Sequence, residues 1–355
     1  MFNLFLFLFG LINSKENCIS FNDYNSMYEF REANGMNAVV GNKVELNNAK
    51  NDLGAACLDG TVPVFYFRKG NGDGISKFHV FFEGGGVCCG IETPYEALCD
   101  ACADRATTTL GSSSTYGEFA NFDYDYMSTD PNINPLSYNW NTIYVKYCDG
   151  GVWIGNNDTL TKTKRNDGVE ELYFRGGRTV DGVFIELINN YNFNTATDVL
   201  ISGCSAGGLG IWMQTNHIYE TYIPKDATFL SMPDSGFFLE YNNGGHLMDA
   251  VHWVYQYQNT SKYLDKYCKE NKIKQNAPQW LCSFAQEVAS FIKPKMFPLQ
   301  SRYDAWQTSQ ELQSELPSEV NAYGQNFTYW FIKEYLDTGL YTSNHAAFLD
   351  SCHHH

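Results

Sequence analysis

A chain of 355 residues, 44% of them hydrophobic, is long enough for one large α/β domain or two small ones and for a sizeable core. Its formal net charge of −16 argues against nucleic acid or an anionic membrane surface as partner and leaves neutral esters and polysaccharides open. Beyond the N-terminus no stretch is long and apolar enough for a transmembrane helix.

Residues 1–14 are rich in Phe and Leu and carry no charge before Lys15. That stretch is too short to span a bilayer and reads as the apolar core of a secretory signal peptide, without the usual basic n-region and with cleavage near Ser14; the plainer alternative is a buried N-terminal strand. No repeat, low-complexity tract or Pro/Ser-rich linker divides residues 15–355, so one domain is expected there. Eleven cysteines fit an oxidising, extracellular setting, and three sequons, at Asn157, Asn259 and Asn326, are consistent with it. Cys99-x-x-Cys102 beside Cys88-Cys89 lacks a nearby histidine and the second spaced pair of a zinc site, so disulfides are expected and no metal. The odd count leaves at least one thiol free, and Cys204 is the candidate.

Residues 78–82 (Phe-His-Val-Phe-Phe) predict a strand that ends in Glu83-Gly84-Gly85-Gly86. Residues 142–147 predict a second, ending in Cys148-Asp149-Gly150. Val180, Val183, Phe184, Leu187 and Ile188 recur at helical spacing and predict a helix over 180–190. A strand at 197–201 then runs into Gly203-Cys204-Ser205-Ala206-Gly207, with a helix expected over 209–222. A further strand is expected at 296–300. Strands alternating with helices imply a mainly parallel sheet with helices on both faces. Segments 90–140 and 240–290, rich in Tyr, Asn, Cys and turn residues, read as disulfide-linked loop and lid insertions above that sheet.

Strand, G-x-S-x-G and helix in succession form the context of an α/β-hydrolase nucleophile elbow. The bend is so tight that residues two before and two after the serine must lack bulk, and Gly203 and Gly207 meet that demand. Ser205 is the expected nucleophile, with the Ala206 N–H as one oxyanion donor. The three glycines after the strand at 78–82 are the natural source of the others, from Gly85 and Gly86. A serine also needs a base and an orienting carboxylate, in the chain order Ser, acid, His. Asp304 and Asp234 both follow strand-like runs, and position alone leaves both open. His217, His246, His252, His345, His353, His354 and His355 follow Ser205. His217 lies on the elbow helix facing away from the site, whereas the terminal cluster sits at the right end of the chain.

Together these blocks resemble the pectin acetylesterase/Notum family of carboxylesterases. Matching segments are Cys57-Leu58-Asp59-Gly60, Phe82-Glu83-Gly84-Gly85-Gly86, Tyr147-Cys148-Asp149-Gly150, Gly203-Cys204-Ser205-Ala206-Gly207-Gly208 and residues 300–307, in that order. Leu172-Tyr173-Phe174-Arg175-Gly176, Asp234-Ser235-Gly236 and Phe348-Leu349-Asp350-Ser351-Cys352 also look like family segments, and the similarity spans roughly residues 50–355. The resemblance implies an α/β-hydrolase-like fold and catalytic Ser205 and Asp304. It also implies a catalytic histidine three residues after Cys352, which is His355. Asp234 becomes a structural part of the pocket. No metal or organic cofactor is expected.

Three departures stand out. Val87 occupies a place where the family usually has Trp. The family continues for some tens of residues where this chain ends, which leaves open a C-terminal truncation and predicts a frayed His355. Cys352 is expected to lack its partner. The reading is a secreted serine carboxylesterase, acting as a monomer on O-acetyl groups of a pectin-like polysaccharide. The Gly84-Gly85-Gly86 run and Cys204 favour that side of the family. A Notum-like deacylase of a lipidated protein and a non-catalytic secreted binding protein of the same fold are the alternatives.

Overall fold

A computed structural model describes residues 40–88, 98–123, 125–162, 171–241, 246–337 and 344–355. The leader expected over 1–14 lies outside the described residues, as do Cys18 and Cys89. The strands are β1 (Val40–Glu45), β2 (Val64–Arg68), β3 (Lys77–Phe82), β4 (Phe119–Asn121), β5 (Asn141–Val145), β6 (Thr161–Lys162), β7 (Glu171–Leu172), β8 (Asp198–Cys204), β9 (Thr228–Asp234), β10 (Leu299–Ser301) and β11 (Phe348–Asp350). The longer helices are α1 (Asn47–Leu53), α2 (Leu98–Ala106), α3 (Gly176–Asn190), α4 (Ala206–Thr221), α5 (His246–Tyr257), α6 (Lys266–Lys274) and α7 (Pro317–Phe331).

One sheet carries the order β11-β10-β9-β8-β3-β5-β2-β1-β4, and β6 pairs with β7 separately. Neighbours from β11 through β5 are parallel, and β5–β2, β2–β1 and β1–β4 are antiparallel. The fold is therefore α/β with a mainly parallel sheet, as expected. The central strands read as unbroken apolar runs because both their faces are covered. Val80, Phe82, Val199 and Ile201 pack with Val180, Val183, Phe184 and Leu187 of α3 and with Leu209 and Ile211 of α4. The alternate residue Phe81 meets Tyr116, Phe122 and Met127, and Leu200 meets Trp140 and Met232.

Several boundaries differ from expectation for identifiable reasons. Helices α3 and α4 begin at Gly176 and Ala206 rather than at 180 and 209, so glycine-rich first turns with poor intrinsic propensity are held helical by tertiary contact. β10 begins at Leu299 rather than at 296. Pro298 has no N–H for the ladder, and Met296 makes only isolated bridges with Ser231 and His345. Within 90–140, residues 119–121 form β4 at the sheet's edge. Within 240–290 lie α5 and α6, with Cys268–Cys282 tying α6 to the following turn. Cys57–Cys148 and Cys88–Cys102 are also bonded, so Cys88 and Cys102 are not zinc ligands. Cys204 is the free cysteine among the described residues.

Candidate active site

The carboxyl ends of β3, β8, β9, β10 and β11 lie side by side, the usual place for a ligand in an open parallel sheet. Ser205 takes the bend between β8 and α4 with φ 56° and ψ −120°. A non-glycine residue in such a conformation costs about 1–3 kcal/mol and persists only where its surroundings hold it. Here the Ser205 N–H donates to the Asp234 carbonyl at 3.0 Å and the Ser205 carbonyl accepts from the Leu209 N–H at 2.9 Å. The bend also presses against the end of β3. A Cβ at Gly207 would stand 2.1 Å from the Phe82 carbonyl oxygen, and one at Gly203 would stand 2.7 Å from it. The G-x-S-x-G glycines are therefore required by that close approach.

His355 joins Ser205 to Asp304. Its Nε2 lies 2.7 Å from Ser205 Oγ and its Nδ1 lies 2.8 Å from Asp304 Oδ2. Asp304 is 0% exposed, whereas the His355 side chain is 21% exposed. Asp304 follows β10 and caps the short helical turn Ala305–Gln307, its Oδ1 accepting the Gln307 N–H at 2.9 Å. With the carboxylate accepting from Nδ1–H, Nε2 keeps the lone pair that faces the Ser205 hydroxyl.

The segment bearing His355 is tied down rather than frayed. β11 runs parallel to β10, with Ser301 opposite Asp350. The Ser301 hydroxyl donates to the Cys352 carbonyl, the Arg302 N–H donates to the Asp350 carbonyl at 3.2 Å, and the Cys352 N–H donates to Asp350 Oδ1 at 2.8 Å. Cys352 is disulfide-bonded, which corrects the expectation that it lacks a partner.

The other candidates are placed elsewhere. Asp234 accepts the Tyr126 hydroxyl at 3.2 Å and the Ser235 hydroxyl at 3.1 Å. His217 lies 2.8 Å from Asp181 on α3. His353 Nε2 lies 3.0 Å from Thr308 Oγ1, and His345 packs on Tyr335 with ring centroids 4.8 Å apart. Burial, with the charges of Asp234, Asp304 and Asp125, raises the Cys204 pKa well above its ordinary value and keeps it a thiol.

The glycine loop after β3 is held from behind. The Glu83 carboxylate accepts from Lys146, from the Tyr147 N–H at 2.8 Å and from the Tyr144 hydroxyl at 3.1 Å. The Gly85 carbonyl accepts from Arg105, and the Gly86 carbonyl accepts the Tyr147 hydroxyl at 2.7 Å. Among the described residues the N–H groups of Gly85 and Gly86 have no acceptor. The Ala206 N–H is the first of α4 and has no partner within the helix. Arg105 and Tyr147 had no expected part in this arrangement; no motif marks Arg105.

The turn beyond Asp304 adds a carboxylate without compensation. Burial, with the Glu240 charge, raises Glu311 to about 8, and its Oε1 has no partner among the described residues. A carboxyl whose folded pKa is raised adds stability below its unfolded value, near 4.5, and loses it as pH climbs through about 8. Glu311→Gln is therefore expected to raise Tm by a few degrees at pH 9 and to leave it nearly unchanged at pH 4.5, as read by thermal melts. Equal shifts at both pH values would contradict the assignment.

A family model described as Pectinacetylesterase matches residues 37–355. The chain belongs to the pectin acetylesterase family. It is 32% identical to pectin acetylesterase 4 of Arabidopsis thaliana over 278 residues, which cover 78% of this chain and 63% of that protein. It is 23% identical to the palmitoleoyl-protein carboxylesterase NOTUM of Schmidtea mediterranea, over 89% of this chain and 58% of the relative. The chain thus spans less than two thirds of the length of either relative. A crystal structure of the Wnt deacylase Notum from Drosophila superposes with a TM-score of 0.70 at 21% identity, covering 89% of this chain and 85% of that one. That likeness supports the fold.

Proposed function

We propose that the protein is a secreted serine carboxylesterase that removes O-acetyl groups from a pectin-like polysaccharide. The observation that carries this reading is the hydrogen-bonded line Ser205–His355–Asp304 on a strained elbow. Ser205 Oγ attacks the ester carbonyl as His355 Nε2 takes its proton. The N–H groups of Gly85, Gly86 and Ala206 hold the oxyanion. The tetrahedral intermediate collapses, the C–O bond to the alcohol breaks, and His355 returns the proton to the leaving oxygen. Water then attacks the acetyl-enzyme by the same route, releasing acetate and Ser205. Asp304 orients the imidazole and stabilises its protonated form.

Membership of the family supports ester chemistry, and the disulfides support an extracellular setting. No helix among the described residues is long and apolar enough to cross a membrane. The assembled line favours catalysis over a binding role alone. The higher identity to the plant pectin acetylesterase favours acetyl over a long acyl chain, and a lipid deacylase remains the second reading because of the Notum relatives. Hydrolysis of p-nitrophenyl acetate and octanoate separates these. Each methylene in an apolar pocket is worth about 1 kcal/mol or more, so the six-carbon difference is decisive. Acetate is expected to be the better substrate by at least about tenfold in kcat/KM. Preference for octanoate would favour the deacylase, and inertness toward both would favour a binding protein.

A further inference from the structure

An oxyanion loop works only if its N–H groups face the reacting carbonyl, and a run of glycines has no side chains to enforce that. In a trans peptide the C=O of one residue and the N–H of the next point in opposite directions. Whatever grips the Gly85 carbonyl therefore aims the Gly86 N–H. Arg105 grips it: Nη1 donates to the Gly85 carbonyl, and Nη2 donates to the Val87 carbonyl at 3.2 Å. Gly86 lies between them at φ 67°, a left-handed conformation. A Cβ at Gly86 would stand 3.8 Å from Arg105 Nη2, so the positive φ, not crowding, is what calls for glycine there.

The guanidinium is itself positioned. Arg105 lies one turn beyond Cys102 on α2, and Cys102 is bonded to Cys88, the residue that follows Val87. The Cys88 N–H donates to the Gly150 carbonyl at 2.9 Å. Asp149, buried nearby, is raised to about 7 by its burial, against hydrogen bonds from Gly151 and Trp153 and the attraction of Arg105.

We propose that Arg105 is a positioning residue for ester hydrolysis, holding the Gly85–Gly86 peptide so that its N–H faces the oxyanion. Without that grip the peptide is free to rotate and turn its carbonyl toward the developing negative charge. The inference rests on the esterase reading above.

The test measures p-nitrophenyl acetate hydrolysis, inhibition by an alkylboronic acid and Tm for wild type, Ser205→Ala, Arg105→Ala and Arg105→Lys. The boronate forms a tetrahedral serine adduct and so reports the oxyanion site directly. Arg105→Ala is expected to lose about 100-fold in kcat, with KM within about threefold and the boronate Ki raised by the same factor as the kcat loss. Ethylguanidine added to Arg105→Ala should restore part of the rate. Arg105→Lys keeps the charge but not the two-pronged fork, and should lose about tenfold in both readouts; it carries the test if the alanine variant does not fold. Arg105 variants with unchanged kcat, or with a kcat loss that leaves boronate affinity intact and resists guanidine, overturn the proposal. An inert wild type, or an active Ser205→Ala, overturns the esterase reading and this proposal with it. An active wild type beside indifferent Arg105 variants overturns only the clamp.

Discussion

Ser205→Ala is expected to lower kcat for p-nitrophenyl acetate by about 10⁵–10⁶-fold, because removing the nucleophile leaves only binding and the oxyanion donors. Its Tm should stay within about two degrees of wild type. The reason lies in what holds the bend. Ser205 is fixed through its main chain, by the bonds to Asp234 and Leu209, and the side chain's own bond is to His355. Alanine keeps the Cβ and the same backbone strain, so the elbow survives while the chemistry does not. Hydrolysis within about tenfold of wild type would take Ser205 out of the mechanism.

His355→Ala should be nearly as damaging, losing about 10⁴-fold or more in kcat, while His353→Ala should stay within about tenfold of wild type. The two histidines are close in sequence but differently engaged. His355 spans Ser205 and the buried Asp304, whereas His353 Nε2 lies against Thr308. Among the described residues His353 has no carboxylate partner to orient its ring toward Ser205. Full activity in His355→Ala with loss in His353→Ala would show that the spacing from Cys352 had been misread, and activity in both would make His345 the next base to test.

The elbow was legible because its chemistry is steric. A bend this tight needs glycine on both sides of the serine, and such a need leaves a mark in the sequence. The apolar runs of β3, β5 and β8 were legible because burial on both faces demands them. The choice between Asp304 and Asp234 was not legible from position. Both end strands of the same sheet, and what separates them is that β10 neighbours β11, the strand that leads to His355. That adjacency belongs to sheet order, which no local pattern encodes. The strand β1 and the edge strand β4 were missed because Val40–Glu45 mixes apolar, glycine and charged residues without alternation and Phe119–Asn121 is too short to show any. Arg105 was missed because its partners are main-chain carbonyls, and a loop's carbonyls have no residue signature.

The imidazole arrives on the outermost strand. Ser205 stands at the end of a central, fully covered strand, 150 positions from His355, and Asp304 is 51 positions away. β11 adds three residues at the margin of the sheet, beside β10. The nucleophile proposed here is thus held by the middle of the sheet, and the proposed base by its margin. On the esterase reading, turnover is expected to respond to loosening of that edge before the centre of the sheet registers any change.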